Sequence, residues 1–274
     1  MTRNVKTSRA GLWWIVTGIG LFTVGCGDNL APDRLDDEPL PCGPLTTTFK
    51  LDHVNPSAVV AQSIDLDGDH RPDDALGRAN DLIAAFAPEF AVSERFGSRL
   101  ATDVAWSVTV DQCEGNVRVT IGPDGTGLAH LPRAAGRISA EGELDATDGQ
   151  AQLPLLALAD ATNTITDPGW RVGDAVTMHA TLAGDTLTGV FAMALPTRAV
   201  KVDLAAPIAA FLTAQPPTEA MRVITDADHD NNVTAAEVAA TATYQGMTQS
   251  DLTLVLDDQP QTSIAFQFSA TAVR

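Results

Sequence analysis

Two stretches of this sequence place carboxylates at alternate positions, a spacing that lets several oxygens converge on one cation. The first is "DLDGDHRPDD", residues 65–74, with Asp65, Asp67, Asp69, Asp73 and Asp74. The second is "DADHDNNVTAAE", residues 226–237, where Asp226, Asp228, Asp230 and Glu237 take the first, third, fifth and twelfth of twelve places. Calcium is a hard cation that takes about six to eight oxygen ligands, more than one Asp can supply. Alternate Asp residues on a tight turn can supply them, and Gly68 permits such a turn in the first stretch. Each stretch also has a reading without metal. The first could be a solvated turn whose carboxylates repel one another. In the second, Thr234 to Glu237 is a T-x-x-E capping box that starts a helix at "AAEVAATATY". The box accounts for Thr234 and Glu237, but not for three Asp residues just upstream.

The second stretch resembles the EF-hand family over all twelve places. The resemblance implies side-chain ligands at Asp226, Asp228, Asp230 and Glu237, a backbone carbonyl from Asn232, and Thr234 at the ninth place, directly or through water. Val233 fills the eighth place, where that family carries an apolar residue that pairs with a second loop. Asn231 stands at the sixth place, normally Gly with positive φ; Asn is the next most tolerant residue there. Pro216 and Pro217 leave an entering helix about two turns through "TEAMRVI". The arrangement is therefore similar to a lone loop and helix, as in dockerin modules, and lone extracellular sites bind at about 10⁻⁴–10⁻³ M. The first stretch resembles the calcium loops of integrin-type FG-GAP and thrombospondin type 3 repeats. That resemblance implies Asp65, Asp67, Asp69 and Asp73 as ligands. Asp73 closes the loop at the ninth place, because the twelfth is Leu76. His70 stands where those families carry Gly.

No other chemistry is legible. The sequence has no G-x-S-x-G, H-E-x-x-H, phosphate loop or dinucleotide fingerprint. Its five histidines, His53, His70, His130, His179 and His229, have no zinc-ligand spacing. His70 and His229 read as exposed loop residues, and His179 as a packed or surface strand residue. Carboxylate pairs abound, but nothing singles out a glycosidase-like one. The chain is read as a non-enzyme, with catalytic residues none. The alternative is a secreted-type hydrolase with a structural calcium site.

The first residues, "MTRNVKTSRAGLWWIVTGIGLFTVGC", carry Arg3, Lys6 and Arg9 before an uncharged apolar run from Gly11 to Gly25. That run falls short of the roughly 20 residues of a membrane span and has the proportions of a signal sequence. Thr23, Val24, Gly25 and Cys26 resemble the lipobox of bacterial lipoproteins, though that family usually has Leu where Thr23 stands. The resemblance implies lipidation of Cys26. With Gly27 rather than Asp next, it also implies sorting to the outer membrane, facing the periplasm or the cell surface. An ordinary cleaved signal or an anchor helix is the other reading. Of three cysteines, Cys42 and Cys113 then remain as a disulfide pair in an oxidising compartment, or as two buried thiols.

The net charge of −18, from 35 acidic and 17 basic residues, argues against nucleic acid as a partner and suits cations. It also suits simple solubility. The partners expected are the membrane, through the lipid, and calcium; a protein or glycan partner is not legible. With 45% hydrophobic and 19% charged residues in 274, most of the chain should fold.

The elements that must hold the two loops are mostly strands. "VAWSVTV" places Val104, Trp106, Val108 and Val110 on one face, and "NVRVTI" does so with Val117, Val119 and Ile121. "QCEGN" makes them a hairpin. "AVTMHATL" and "TLTGVFAMAL" form a second hairpin through Ala183 to Thr186. "QLPLLALA", "RISAEGEL" and "TSIAFQFSATAV" are further strands, and residues 78–100 a helix interrupted by Pro88. The fold class expected is mainly β or α+β: a β-sandwich-like domain with one or two helices and a C-terminal EF-hand-like loop and helix. The organisation expected is a lipoprotein signal peptide at 1–25, a Pro- and Asp-rich tether at 26–45, a β-rich domain at 46–200, and the loop-helix with closing strands at 201–274.

Overall fold

A computed structural model describes residues 40, 43–56, 64–78, 81, 104–123, 131–155, 169–214 and 225–273. The expected signal and lipobox and most of the expected tether lie outside these residues, as does most of the helix expected at 78–100. The chain divides between Arg34 and Leu35, and every described residue belongs to the second unit.

The strands are β1 (Leu45–Asn55), β2 (Trp106–Cys113), β3 (Asn116–Pro123), β4 (Ala134–Ile138), β5 (Glu143–Pro154), β6 (Trp170–Ala183), β7 (Thr186–Pro196), β8 (Val255–Leu256) and β9 (Gln259–Ala272). They form one nine-stranded sheet in the order β1-β2-β3-β4-β5-β6-β7-β9-β8, and β1 also pairs with β9. Setting aside the short β8, the sheet therefore closes on itself as an antiparallel barrel. The mainly β, α+β class is the one expected. A sandwich would use two sheets; here the pairing of β1 with β9, beginning at Phe49 and Ala272, joins the first and last long strands into one. Alternating strands suit either arrangement, so the pattern alone could not choose.

The interior is filled by side chains, as in other small barrels. Trp106, Val108 and Val110 of β2 and Ile264, Phe266, Phe268 and Ala270 of β9 are all buried. The Trp106 ring meets Phe191 at 5.6 Å and Phe266 at 5.8 Å, both edge-on, linking β2 to β7 and β9 across the core. Edge-to-face is the favoured aromatic geometry, because the positive ring edge meets the negative face. The indole N–H donates to the Gln152 carbonyl at 3.0 Å, so the buried Trp106 leaves no polar atom unpaired.

Both expected hairpins are present. β2 and β3 join through Glu114 (φ 48) and Gly115 (φ 81), and β6 and β7 through Gly184 (φ 62) and Asp185. "RISAEGEL" is not one strand. It contains the end of β4, a turn at residues 139–142 and the start of β5. The Ser139 hydroxyl accepts the Glu141 and Glu143 N–H groups, and Gly142 takes φ 91. A local side-chain acceptor and a glycine beat the alternation there. Residues 156–159 of "QLPLLALA" lie outside the described residues.

Residues 201–274 share the sheet of 46–200, because β9 pairs with β7 and β1. Between β7 and β9 the chain adds α1 (Thr197–Asp203), α2 (Ala205–Ala214), α3 (Ala235–Ala240) and α4 (Ala242–Met247). The first two were not expected, although Val200, Leu204, Ala205, Ala209 and Leu212 carry a helical period and are buried. The expected helix at "AAEVAATATY" is broken in two at Thr241, whose backbone is extended and whose hydroxyl caps α4 by accepting the Tyr244 N–H. The Tyr244 hydroxyl donates to the Lys201 carbonyl at 2.6 Å, tying α4 to α1, and burial pushes its pKa up to about 12. Among the described residues no helix is long and apolar enough to cross a membrane.

Candidate metal centre

The second loop sits between α2 and α3. Val233 is buried in the main core. Its N–H donates to the Thr213 hydroxyl at 3.0 Å, and that hydroxyl donates to the Val233 carbonyl at 3.2 Å. The eighth place thus pairs with a helix side chain of α2 where a paired EF-hand would use a second loop. Thr234 caps α3 in a complete capping box with Glu237. The two readings of this stretch therefore share Thr234 and Glu237, and the box leaves the three Asp residues upstream unexplained.

Around the loop each carboxylate collects N–H groups further along the chain. Asp226 accepts from Asp230 (3.2 Å) and Asn231 (2.9 Å), Asp228 from Asp230 (3.2 Å), and Asp230 from Asn232 (2.7 Å). Asn231 takes φ 66 at the sixth place, as expected of the residue standing in for Gly. Glu237 closes the ring: Oε1 accepts the Ala227 N–H and Oε2 the Thr234 N–H, each at 2.8 Å.

The first loop repeats this path in a different setting. Asp65 accepts from Asp69 (3.2 Å) and His70 (2.8 Å), Asp67 from Asp69 (3.1 Å), and Asp69 from Arg71 (2.8 Å). His70 has φ 66, as Asn231 does. The closing group differs. Here the N–H of the second place, Leu66, donates at 2.6 Å to Asp73 at the ninth, where the second loop uses Glu237 at the twelfth. The Asp73 N–H returns to the Ile64 carbonyl at 2.9 Å. Ile64 and Leu66 pack on Ala192, Ala265 and Val190, which anchors the loop to the outer surface of β7 and β9.

Within each loop one set of carboxylates converges. Oxygens of Asp65, Asp67 and Asp73 lie within 4.8 Å of one another, and so do those of Asp226, Asp228 and Glu237. Asp69 and Asp230, the expected fifth-place ligands, join neither set; each instead turns an oxygen to the N–H two residues on. Asn232 donates its N–H to Asp230, and Thr234 is occupied as the helix cap. The charge balance is uneven. Asp73 is 3% exposed. Burial, with the like charges of Asp67, Asp251 and Asp65, pushes its pKa up to about 6, against the Leu66 hydrogen bond. In the second loop the Asp230 N–H lowers Asp228, but partial desolvation and the charges of Asp230, Glu237 and Asp226 outweigh it and the net shift is upward. Glu237 is held below its ordinary value by the Thr234 N–H and hydroxyl.

Sequence reasoning missed the residues that brace the first loop. Asp74 is 1% exposed and burial pushes it up to about 7. Its Oδ1 accepts the Gly77 N–H at 2.7 Å, starting a helical turn at residues 75–78, and the Ala265 N–H of β9 at 3.1 Å. Asp251 accepts the Ser263 N–H at 2.8 Å and pairs with Arg78. Asp67 accepts the Thr253 N–H at 2.6 Å. Apart from Asp74 with Gly77 and Asp251 with Ser263, these contacts link the first loop and Arg78 to residues 251–265, and no local spacing announces them. His70, expected to be exposed, has a side chain 96% exposed. His229 is exposed too, and His179 lies on the surface of β6 against Asp145. Cys113 is buried at the end of β2; Cys42, its expected partner, lies outside the described residues.

No known family, no curated protein and no solved structure matches this chain.

Proposed function

We propose that this protein binds calcium at both acidic loops, and that the ion is structural in a lipid-anchored protein outside the cytoplasm. The observation that carries the reading is the repetition. Two loops 161 residues apart (226 − 65) follow one path, with matched acceptors at the first, third and fifth places and matched positive φ at the sixth. Each converges one set of three carboxylates. A capping box accounts only for Thr234 and Glu237 of the second loop, and a solvated turn does not call for a buried Asp73. Hard oxygen donors suit calcium or magnesium rather than zinc or copper. Each converging set supplies three carboxylates on a loop rather than an ideal octahedral cage, which favours the larger, less demanding ion. A divalent cation would offset the repulsion among carboxylates, worth about 1 kcal/mol per pair at 4 Å in water and more where solvent is excluded. The anchor rests on Cys26 and the apolar run before it.

Calorimetric titration of calcium into the metal-stripped protein, with a thermal melt alongside, tests the reading. Saturable heat and a raised melting temperature are expected, since a ligand held only by the folded state stabilises it by about 2.7 kcal/mol at a hundredfold excess over Kd. No heat and no shift at millimolar calcium overturns it.

A further inference from the structure

We draw no further inference here: the strongest candidate, the buried polar cluster of Asp74, Asp251 and Ser263 between the first acidic loop and β9, in which Asp74 Oδ2 has no hydrogen-bond partner among the described residues, belongs to the site already described.

Discussion

Ala265, midway along β9, gives its backbone N–H to the carboxylate of Asp74, a residue 191 positions earlier, at 3.1 Å. β9 leaves β8 at Pro260 and meets β1 only at Gln267. In the gap, Asp251 and Asp74 accept the N–H groups of Ser263 and Ala265, as a neighbouring strand would. Asp74→Ala should therefore strand the buried Gly77 and Ala265 donors at about 1–3 kcal/mol each and lower the melting temperature by several degrees. Asp74→Asn keeps one acceptor oxygen and should lose less. An unchanged melt for Asp74→Ala would show that the gap needs no acceptor.

Gly77 is confined by the same carboxylate. A Cβ there would lie 1.7 Å from Asp74 Oδ2 and 2.3 Å from its Cγ. Gly77→Ala should displace Asp74 and destabilise the fold as Asp74→Ala does. The double variant should lose less than the sum of the two singles, because the residues share one interaction. Strict additivity in chemical denaturation would separate them.

Stability without metal should depend on pH. Asp73 rises to about 6 and Asp74 to about 7 in the folded chain, from an ordinary 3.8. Between the ordinary value and about 7 the folded state holds protons that the unfolded state has released. Stability therefore falls as pH rises through that window. A cation takes the ionised carboxylate, so saturating calcium should flatten or reverse the trend. Melts from pH 5 to 8, with calcium and with chelator, compare the two slopes; parallel slopes would detach Asp73 from any ion.

Glu237→Gln separates the helix cap from the ligand. Gln also completes a capping box, so α3 should persist while the charge at the twelfth place is lost. We expect calcium affinity at the second loop to fall at least tenfold, while the metal-free melt falls only by what one of the two exposed backbone hydrogen bonds of Glu237 contributes, since Gln keeps a single acceptor oxygen. Asp226→Ala should abolish that site, and Asp65→Ala the first site alone. If calcium stoichiometry is unchanged in Glu237→Gln and Asp226→Ala, the second loop is not a metal site.

Cys26→Ala should move the protein from the detergent-rich to the aqueous phase in a partition assay. Thiol counting on the denatured, unreduced Cys26→Ala protein should find no free thiol if Cys42 and Cys113 are joined. Two titratable thiols would refute the pairing.

The sequence alone determined the local features. Period-two alternation marked Trp106 to Val110 and Ile264 to Ala270 as interior faces, because the pleat sends every second side chain to one side. Glu114-Gly115 and Gly184 marked two turns. The carboxylate spacing located both acidic stretches and singled out Asp73 beside Asp65 and Asp67, with which it converges, since all of this depends on neighbours a few positions apart. Only the tertiary structure decided that the strands close through β1 and β9, that the Val233 backbone bonds the Thr213 hydroxyl, and that Asp74, Asp251 and Thr253 brace the first loop. The closure and the bracing of the first loop come from backbone donors left open along β9 and from apolar surface on its outer side at Ala265, and the Val233 contact from α2 folding back over the second loop. All exist only once distant segments have met.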